Sequence, residues 1–349
     1  MEYDDWKLSS YNFCLPKKLI AQYPTTNREK SRMLFIERRS GKVSNKRFSD
    51  IVSLLPKSCC LVVNNTKVLP ARLIGRRKTG AKIEALLIEE IESGKWRAIV
   101  SNSRRIKKGE ILDFSNGNLL AIAHQRLKDG EWALVFLDEE NIKDRLEKFG
   151  LPPLPPYIDR NGKNKLKNDD RIRYQTCFAS EPGAIAAPTA GLHFTPEILT
   201  KIKNRGIEIL EVTLHVGLGT FKSIEEEDIR KHKMHTEFFS VSDQTLKKIK
   251  YFKENNKKII SIGTTSLRVL ETLAQNNFNI KSGWTDIFIH PPYKFKITEG
   301  LLTNFHMPKS TLIILVSAFC SRKFVLKAYE KAVLENYRFF SYGDCMMII

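Results

Sequence analysis

Between Pro70 and Asp138 the chain is cut into six short segments that mix apolar and polar residues. They read ARLIGRR, AKIEALLIEE, KWRAIVS, EILDF, LLAIAH and EWALVFLD. Turn signals divide them at Lys78-Thr79-Gly80, Ser93-Gly94, Asn116-Gly117-Asn118 and Asp129-Gly130. A period of two buries one face of a strand. Six such strands at this spacing predict a small closed barrel or a sandwich.

The flanks have a different texture. CCLVVNN (Cys59–Asn65) reads as a buried strand, and residues 30–55 as part of an α/β unit. NIKDRLEKFG reads as a charged helix, LPPLPPYI as a stiff Pro-rich connector, and DRNGKNKLKNDDRIR as a polar surface loop. Helices and strands then alternate. TPEILTKIKNRG is a helix closed by Gly206, IEILEVTLHV a strand, and VSDQTLKKIKYFKENNKK a helix capped by Ser242. KIISIG follows as a strand, SLRVLETLAQ as a helix and TDIFIH as a strand. The apolar STLIILVSAFC spans about half a membrane and reads as a buried strand or a helix start. RKFVLKAYEKAVLENY is a long helix. The expected fold class is α/β: a mixed-sheet main domain, residues 1–66 and 151–349, with a six-stranded β-barrel inserted at residues 67–150.

Charge points to a class of partner. Lys plus Arg number 58 against 39 Asp plus Glu, giving +19. Such an excess favours a polyanion, RNA or DNA, because each neutralised phosphate releases counterions. The six cysteines form no CxxC pair, so reduced thiols and a cytoplasmic protein are expected. The first residues, MEYDDWKLSSYNF, carry no basic and apolar signal pattern, and no membrane association is expected.

Nucleotide fingerprints fail. GxxxxGK[ST] is absent, and VGLGTFKS places Lys222 where the third glycine of a dinucleotide loop belongs. In IISIGTTSLRVLE a strand gives way to a helix opened by Thr264, Thr265 and Ser266, with Arg268 in its first turn. Free N–H groups there make an anion site, and plain capping is the rival reading. His232 and His235 lack a placed third ligand, so no metal is expected. His193, His215, His290 and His306 lie by loops or strand ends, where imidazoles suit proton transfer near neutral pH. Asp344 stands in a turn and either joins them or only caps backbone N–H groups. AAPTAGLHF is poor in bulk, so its backbone can be approached closely; a tight structural loop is the alternative.

In order, AQYPTTNREKSRML, VVNNTKVLPARLIG, GAIAAPTAGLHFT, TLHVGLGTF, HTEFF, GTTSLRVLE, TDIFIHPPYKF, LLTNFHMPKSTLIILVSAF and YGDCMMI resemble the S-adenosylmethionine:tRNA ribosyltransferase-isomerases of queuosine biosynthesis. The resemblance runs through nearly the whole chain and departs at Cys345 and Met347, where Ala and Leu are usual. It implies an α/β domain with an inserted barrel. It implies transfer and rearrangement of the ribosyl unit of S-adenosylmethionine onto 7-aminomethyl-7-deazaguanine at the tRNA wobble position. Adenine and methionine leave, and S-adenosylmethionine is a consumed substrate with no separate cofactor. Catalytic candidates on the shared motifs are His193, His215, His290, His306 and Asp344. Substrate-binding candidates are Thr189, Gly191, Phe194, Gly217, Gly219, Thr264, Thr265, Ser266, Arg268 and Tyr293, with Phe221 a further aromatic for the sulfonium. Arg28, Arg32, Lys67 and Arg72 are candidates for tRNA phosphates, and the chain is expected to act as a monomer. A non-catalytic RNA-binding protein that uses the barrel, and a tRNA methyltransferase, are the competing readings.

Overall fold

The computed structural model of the chain describes residues 4–138, 142–160, 167–217, 219 and 224–349. Phe221 and Lys222 lie outside them. Strands β1 (Arg32–Glu37) and β2 (Lys42–Arg47), helix α1 (Ile51–Leu54) and strands β3 (Cys59–Asn64) and β4 (Thr66–Val68) open the fold. Every residue of β3 is buried, as its unbroken apolar run requires of a central strand.

The barrel follows: β5 (Arg72–Arg77), β6 (Lys82–Glu92), β7 (Lys95–Val100), β8 (Ile111–Phe114), β9 (Leu119–Arg126) and β10 (Trp132–Phe136). It closes in the order β10-β7-β6-β5-β8-β9 with every pair antiparallel. Ile83, Ala85 and Leu87 of β6 point inward with Trp96, Ala98 and Val100 of β7, the alternation visible in the sequence. Gly75 is needed where β5 crosses β8, because a Cβ there would stand 2.6 Å from the Phe114 ring. Helix α2 (Ile142–Phe149) packs Ile142 and Leu146 on this core. Arg72 and Leu151 exchange backbone hydrogen bonds of 3.0 and 2.8 Å, which pins the barrel to the connector.

Helix α3 (Lys167–Arg173), strand β11 (Glu181–Ala184), helix α4 (Pro196–Asn204), strands β12 (Glu208–Leu214) and β13 (Glu237–Ser240), helix α5 (Asp243–Glu254), strand β14 (Lys258–Ile262) and helix α6 (Gly263–Gln275) come next. Strands β15 (Ser282–Thr285) and β16 (Gly300–Asn304), helices α7 (Thr311–Cys320) and α8 (Arg322–Leu334) and strand β17 (Cys345–Ile348) complete the chain. The main sheet has nine strands in the order β15-β13-β12-β3-β14-β16-β17-β1-β2. Its centre, β12-β3-β14-β16, is parallel, and β13, β15, β17 and β2 each run antiparallel to a neighbour. One apolar layer joins β12 and β14 to α5 and α6, and another covers the opposite face through α1, α4, Phe48 and Phe194. The fold is therefore mixed α/β with an inserted six-stranded barrel, as the sequence implied.

Two expectations change, and one open choice is settled. Thr285 alone of TDIFIH belongs to a strand, because the backbone beyond it is spent elsewhere. The Ile287 N–H bonds Thr285 Oγ1 and its carbonyl accepts Arg268 Nε, both at 3.3 Å. Part of the polar stretch read as a loop is helix α3, fixed by a buried pairing of its Asp170 with Arg160 at 2.7 Å; residues 161–166 lie outside the described residues. Of the two readings of STLIILVSAFC, strand or helix start, the helix holds, with Ser310 Oγ accepting the Ile313 N–H at 3.3 Å as an N-cap.

Candidate active site

The carboxyl ends of parallel strands are where an open α/β sheet presents its loops to a ligand. Here the segments that leave β11, β12, β14 and β16 meet around one cavity. Ala186 to Ala190 form the small-residue wall. Val216 and Gly219 follow β12, Gly263 to Thr265 and Arg268 follow β14, and Thr303 to Met307 close the side given by β16. Tyr157, Tyr174, Ile289 and Leu315 add apolar and aromatic cover. A neighbouring groove runs between barrel and sheet and shares Val216, Gly219, His235 and Glu237 with the cavity.

Asn64 ties these loops together. Its Oδ1 accepts the N–H groups of Thr66 and Leu214 at 3.1 and 3.0 Å, and its Nδ2 donates to Leu214 O and Thr265 Oγ1 at 2.9 and 3.2 Å. Arg268 reaches across the cavity wall to Glu237, with both side chains under a tenth exposed. Glu237 also accepts the Gly217 N–H at 2.9 Å. Arg268 Nη2 has no partner among the described residues. A buried guanidinium N–H left free beside a cavity is a donor waiting for a ligand acceptor.

The sequence candidates divide. Thr189, Gly219, Thr264, Thr265, Arg268 and His306 line the cavity. His306 is buried, its Nε2 lies 2.8 Å from Thr303 Oγ1, and burial pushes its pKa down to about 3. His215 and Gly217 line the groove instead. His215 Nδ1 meets Thr66 Oγ1 at 2.8 Å, and burial lowers its pKa against the opposing pull of Glu181. His193 stands behind the wall, with Nδ1 2.7 Å from Ser31 Oγ and Nε2 3.3 Å from Asn304 Nδ2. Burial, aided by the charges of Arg28 and Arg338, lowers its pKa to about 3.

The rest do not line the cavity. Phe194 packs on Phe48 in the core. Gly191 lies so close to Phe178 and Thr176 that a Cβ would clash at 2.6 and 2.8 Å. Ser266 donates back to Ile262 O at 3.0 Å. His290 packs edge-on against Trp6, and the Tyr293 hydroxyl donates to Glu271 at 3.2 Å. Asp344 accepts the N–H groups of Arg32 and Arg338 at 2.9 and 2.8 Å; burial raises its pKa and these bonds oppose the rise. Arg28 donates to the carbonyls of Gln175, Ile172 and Arg173, and Arg32 lies over the Tyr337 ring beside Glu335. Arg72 forks onto Glu84 at 2.7 and 2.9 Å. Lys67 borders the groove and reaches Glu147 at 3.6 Å.

Sequence reasoning missed Glu237, Asn304 and the lining role of His235. The signals were faint: one carboxylate in HTEFF, and one amide ending the apolar strand GLLTN. Among the described residues no cluster of three His, Cys, Asp or Glu could hold a metal, and no helix is long and apolar enough to cross a membrane.

Comparison with known proteins gives this geometry a family. The model of the family described as "Queuosine biosynthesis protein" matches residues 8–348. An S-adenosylmethionine:tRNA ribosyltransferase-isomerase of Sulfurihydrogenibium sp. (strain YO3AOP1) is 49% identical over 344 residues, covering 98% of this chain and all of that protein. Enzymes with the same name from Staphylococcus epidermidis (strain ATCC 12228) and Acetivibrio thermocellus are 45% and 46% identical over 345 residues, covering 98% of this chain and 99% of each. The crystal structure of S-adenosylmethionine tRNA ribosyltransferase from Thermotoga maritima is 34% identical, with a TM-score of 0.55, over 99% of this chain and all of that one. By these matches, with the barrel-bearing α/β fold and its strand-end cavity, the chain belongs to the queuosine biosynthesis family of S-adenosylmethionine:tRNA ribosyltransferase-isomerases.

Proposed function

We propose that this enzyme transfers and isomerises the ribosyl unit of S-adenosylmethionine onto 7-aminomethyl-7-deazaguanine at the tRNA wobble position. The product is epoxyqueuosine-tRNA, and adenine and methionine are released. S-adenosylmethionine is consumed as a substrate and no separate cofactor takes part. The observation that carries the reading is the cavity at the strand ends, lined by the helix start at Thr264 and Thr265 and by Arg268, whose buried Nη2 has no partner among the described residues.

In this reading S-adenosylmethionine fills the cavity and the tRNA base enters from the groove. Arg268 and the α6 N-terminus take an anionic or polar end of the small substrate. The wall of Ala186, Ala187 and Ala190 leaves room for a bulky nucleoside. His306 is the catalytic candidate that borders the cavity. Its burial keeps it neutral, so it does not repel a sulfonium, and a neutral imidazole accepts a proton. A pKa near 3 makes it a weak base until substrate changes its surroundings. The reacting base leaves its stack to reach this depth. The enzyme works as a cytoplasmic monomer.

The test is product analysis. Protein, S-adenosylmethionine and tRNA carrying 7-aminomethyl-7-deazaguanine are incubated together. Adenine plus methionine is the expected outcome. S-adenosylhomocysteine would mean methyl transfer, and bound tRNA without turnover would mean a binding protein.

A further inference from the structure

Asn304 ends the central strand β16, is 2% exposed and lines the cavity. The orientation of its amide follows from its neighbours. Nδ2 lies 3.1 Å from Phe340 O, 3.4 Å from Asp344 O and 3.3 Å from His193 Nε2. Turning the amide over would put its oxygen against two carbonyl oxygens, so Nδ2 must face them. The oxygen is then left without a hydrogen-bond partner among the described residues. A buried, unsatisfied amide oxygen on a residue that lines a cavity is an acceptor for a ligand donor.

His193 reinforces that choice. Ser31 Oγ donates to Arg28 O at 2.9 Å, so it receives its 2.7 Å bond from His193 Nδ1–H. The lone pair of Nε2 is then free to accept from Asn304 Nδ2. Phe48 covers the ring, with centroids 5.3 Å apart, and holds it in this plane. Ser31, His193 and Asn304 thus form one directed chain. Each member sets the donor and acceptor sense of the next.

We propose that Asn304 Oδ1 accepts a hydrogen bond from an N–H or O–H donor of S-adenosylmethionine, and that His193 is a positioning residue that holds this oxygen toward the substrate. The inference rests on the reading of the cavity as the S-adenosylmethionine site. The substrate in question is the small one. Asn304 borders the cavity and not the groove, and it is the groove that the proposed reading gives to the tRNA base.

The experiment uses the full chain and reads two quantities, S-adenosylmethionine binding by equilibrium dialysis and the KM–kcat split with precursor tRNA. Asn304→Ala should weaken S-adenosylmethionine binding by roughly 5- to 100-fold, the range for one lost hydrogen bond to a buried group, with the KM for tRNA unchanged. His193→Ala should weaken it in the same direction, and the double variant should be no worse than Asn304→Ala alone. His193→Gln, which can still accept from Asn304, should recover most of the affinity. Unchanged binding in Asn304→Ala overturns the contact. Loss of kcat in His193→Gln equal to that in His193→Ala, with binding intact, overturns the positioning role in favour of proton transfer. If His193→Ala does not fold, Asn304→Ala and His193→Gln still decide. Wild-type protein that binds S-adenosylmethionine but releases no adenine would sink the reaction and leave the contact standing; wild-type turnover with an indifferent Asn304 would sink the contact alone.

Discussion

Arg268 and Glu237 form an ion pair in the cavity wall, with side chains 7% and 4% exposed. Glu237 uses one oxygen on the guanidinium and the other on the Gly217 N–H. Removing either partner leaves an uncompensated buried charge, at a cost of about 3–5 kcal/mol. Glu237→Ala is therefore expected to lose that much stability in urea denaturation and to bind S-adenosylmethionine poorly. Replacing both residues by leucine should return much of the stability while binding stays lost. A Glu237→Ala protein as stable as the wild type would show that the pair is not desolvated.

The two buried histidines make a pH prediction. His193 and His306 have folded-state pKa values near 3, against an unfolded value near 6.5. Below about pH 6.5 the unfolded chain takes up protons that the folded chain refuses. Stability is then full above that pH and falls as pH drops toward 3, by on the order of 1 kcal/mol per histidine per pH unit. Denaturation at pH 7 and pH 5 measures the slope, and His306→Gln should reduce it by about half. Equal slopes for wild type and variant would mean that His306 is already protonated when folded.

How much of this was legible before the structure depends on where the physical cause lies. The barrel strands were readable because β6 and β7 bury alternate residues, and that period is local. The all-buried β3 was readable from its apolar run. TDIFIH was misleading because its fate depends on Arg268, which lies 19 positions from Ile287. The helical character of the polar run Lys167–Arg173 depends on Asp170 meeting Arg160 and Tyr342, a pairing that no local pattern encodes. Motif reasoning found the Thr264–Arg268 segment and the small-residue wall. It could not tell that His193 faces Asn304 and not the cavity, since both orientations suit the same string.

Basic residues are expected to differ in what they do for tRNA. Arg28 spends its guanidinium on three backbone carbonyls, so Arg28→Ala should lower the melting temperature more than it changes the salt dependence of tRNA binding. Lys67 is half exposed in the groove and loosely paired with Glu147. Lys67→Ala should weaken binding and reduce the slope of log K against log salt by about 1, the signature of one phosphate contact. Filter binding over a salt series measures both. A slope unchanged in Lys67→Ala removes it from the interface.

Trp284 makes the sharpest case for the groove as the tRNA entrance. It sits on β15, the edge strand of the sheet, paired with Phe238, and is 62% exposed. The two rings meet edge to face with centroids 5.8 Å apart, and Phe238 stacks on His215 at 5.9 Å. The aromatic series therefore runs from the surface to the histidine that lines the groove. A large apolar ring left in water does little for the fold, so Trp284→Ala should cost less than about 1 kcal/mol of stability. An unstacked base on that ring gains about 1–3 kcal/mol, which is roughly 5- to 150-fold in affinity. Trp284→Ala should accordingly bind an anticodon stem-loop that much more weakly, while Trp284→Phe keeps most of the affinity. S-adenosylmethionine binding should not move, because Trp284 does not border the cavity. Equal stem-loop affinity for Trp284→Ala and wild type would place the path of the RNA elsewhere on the surface.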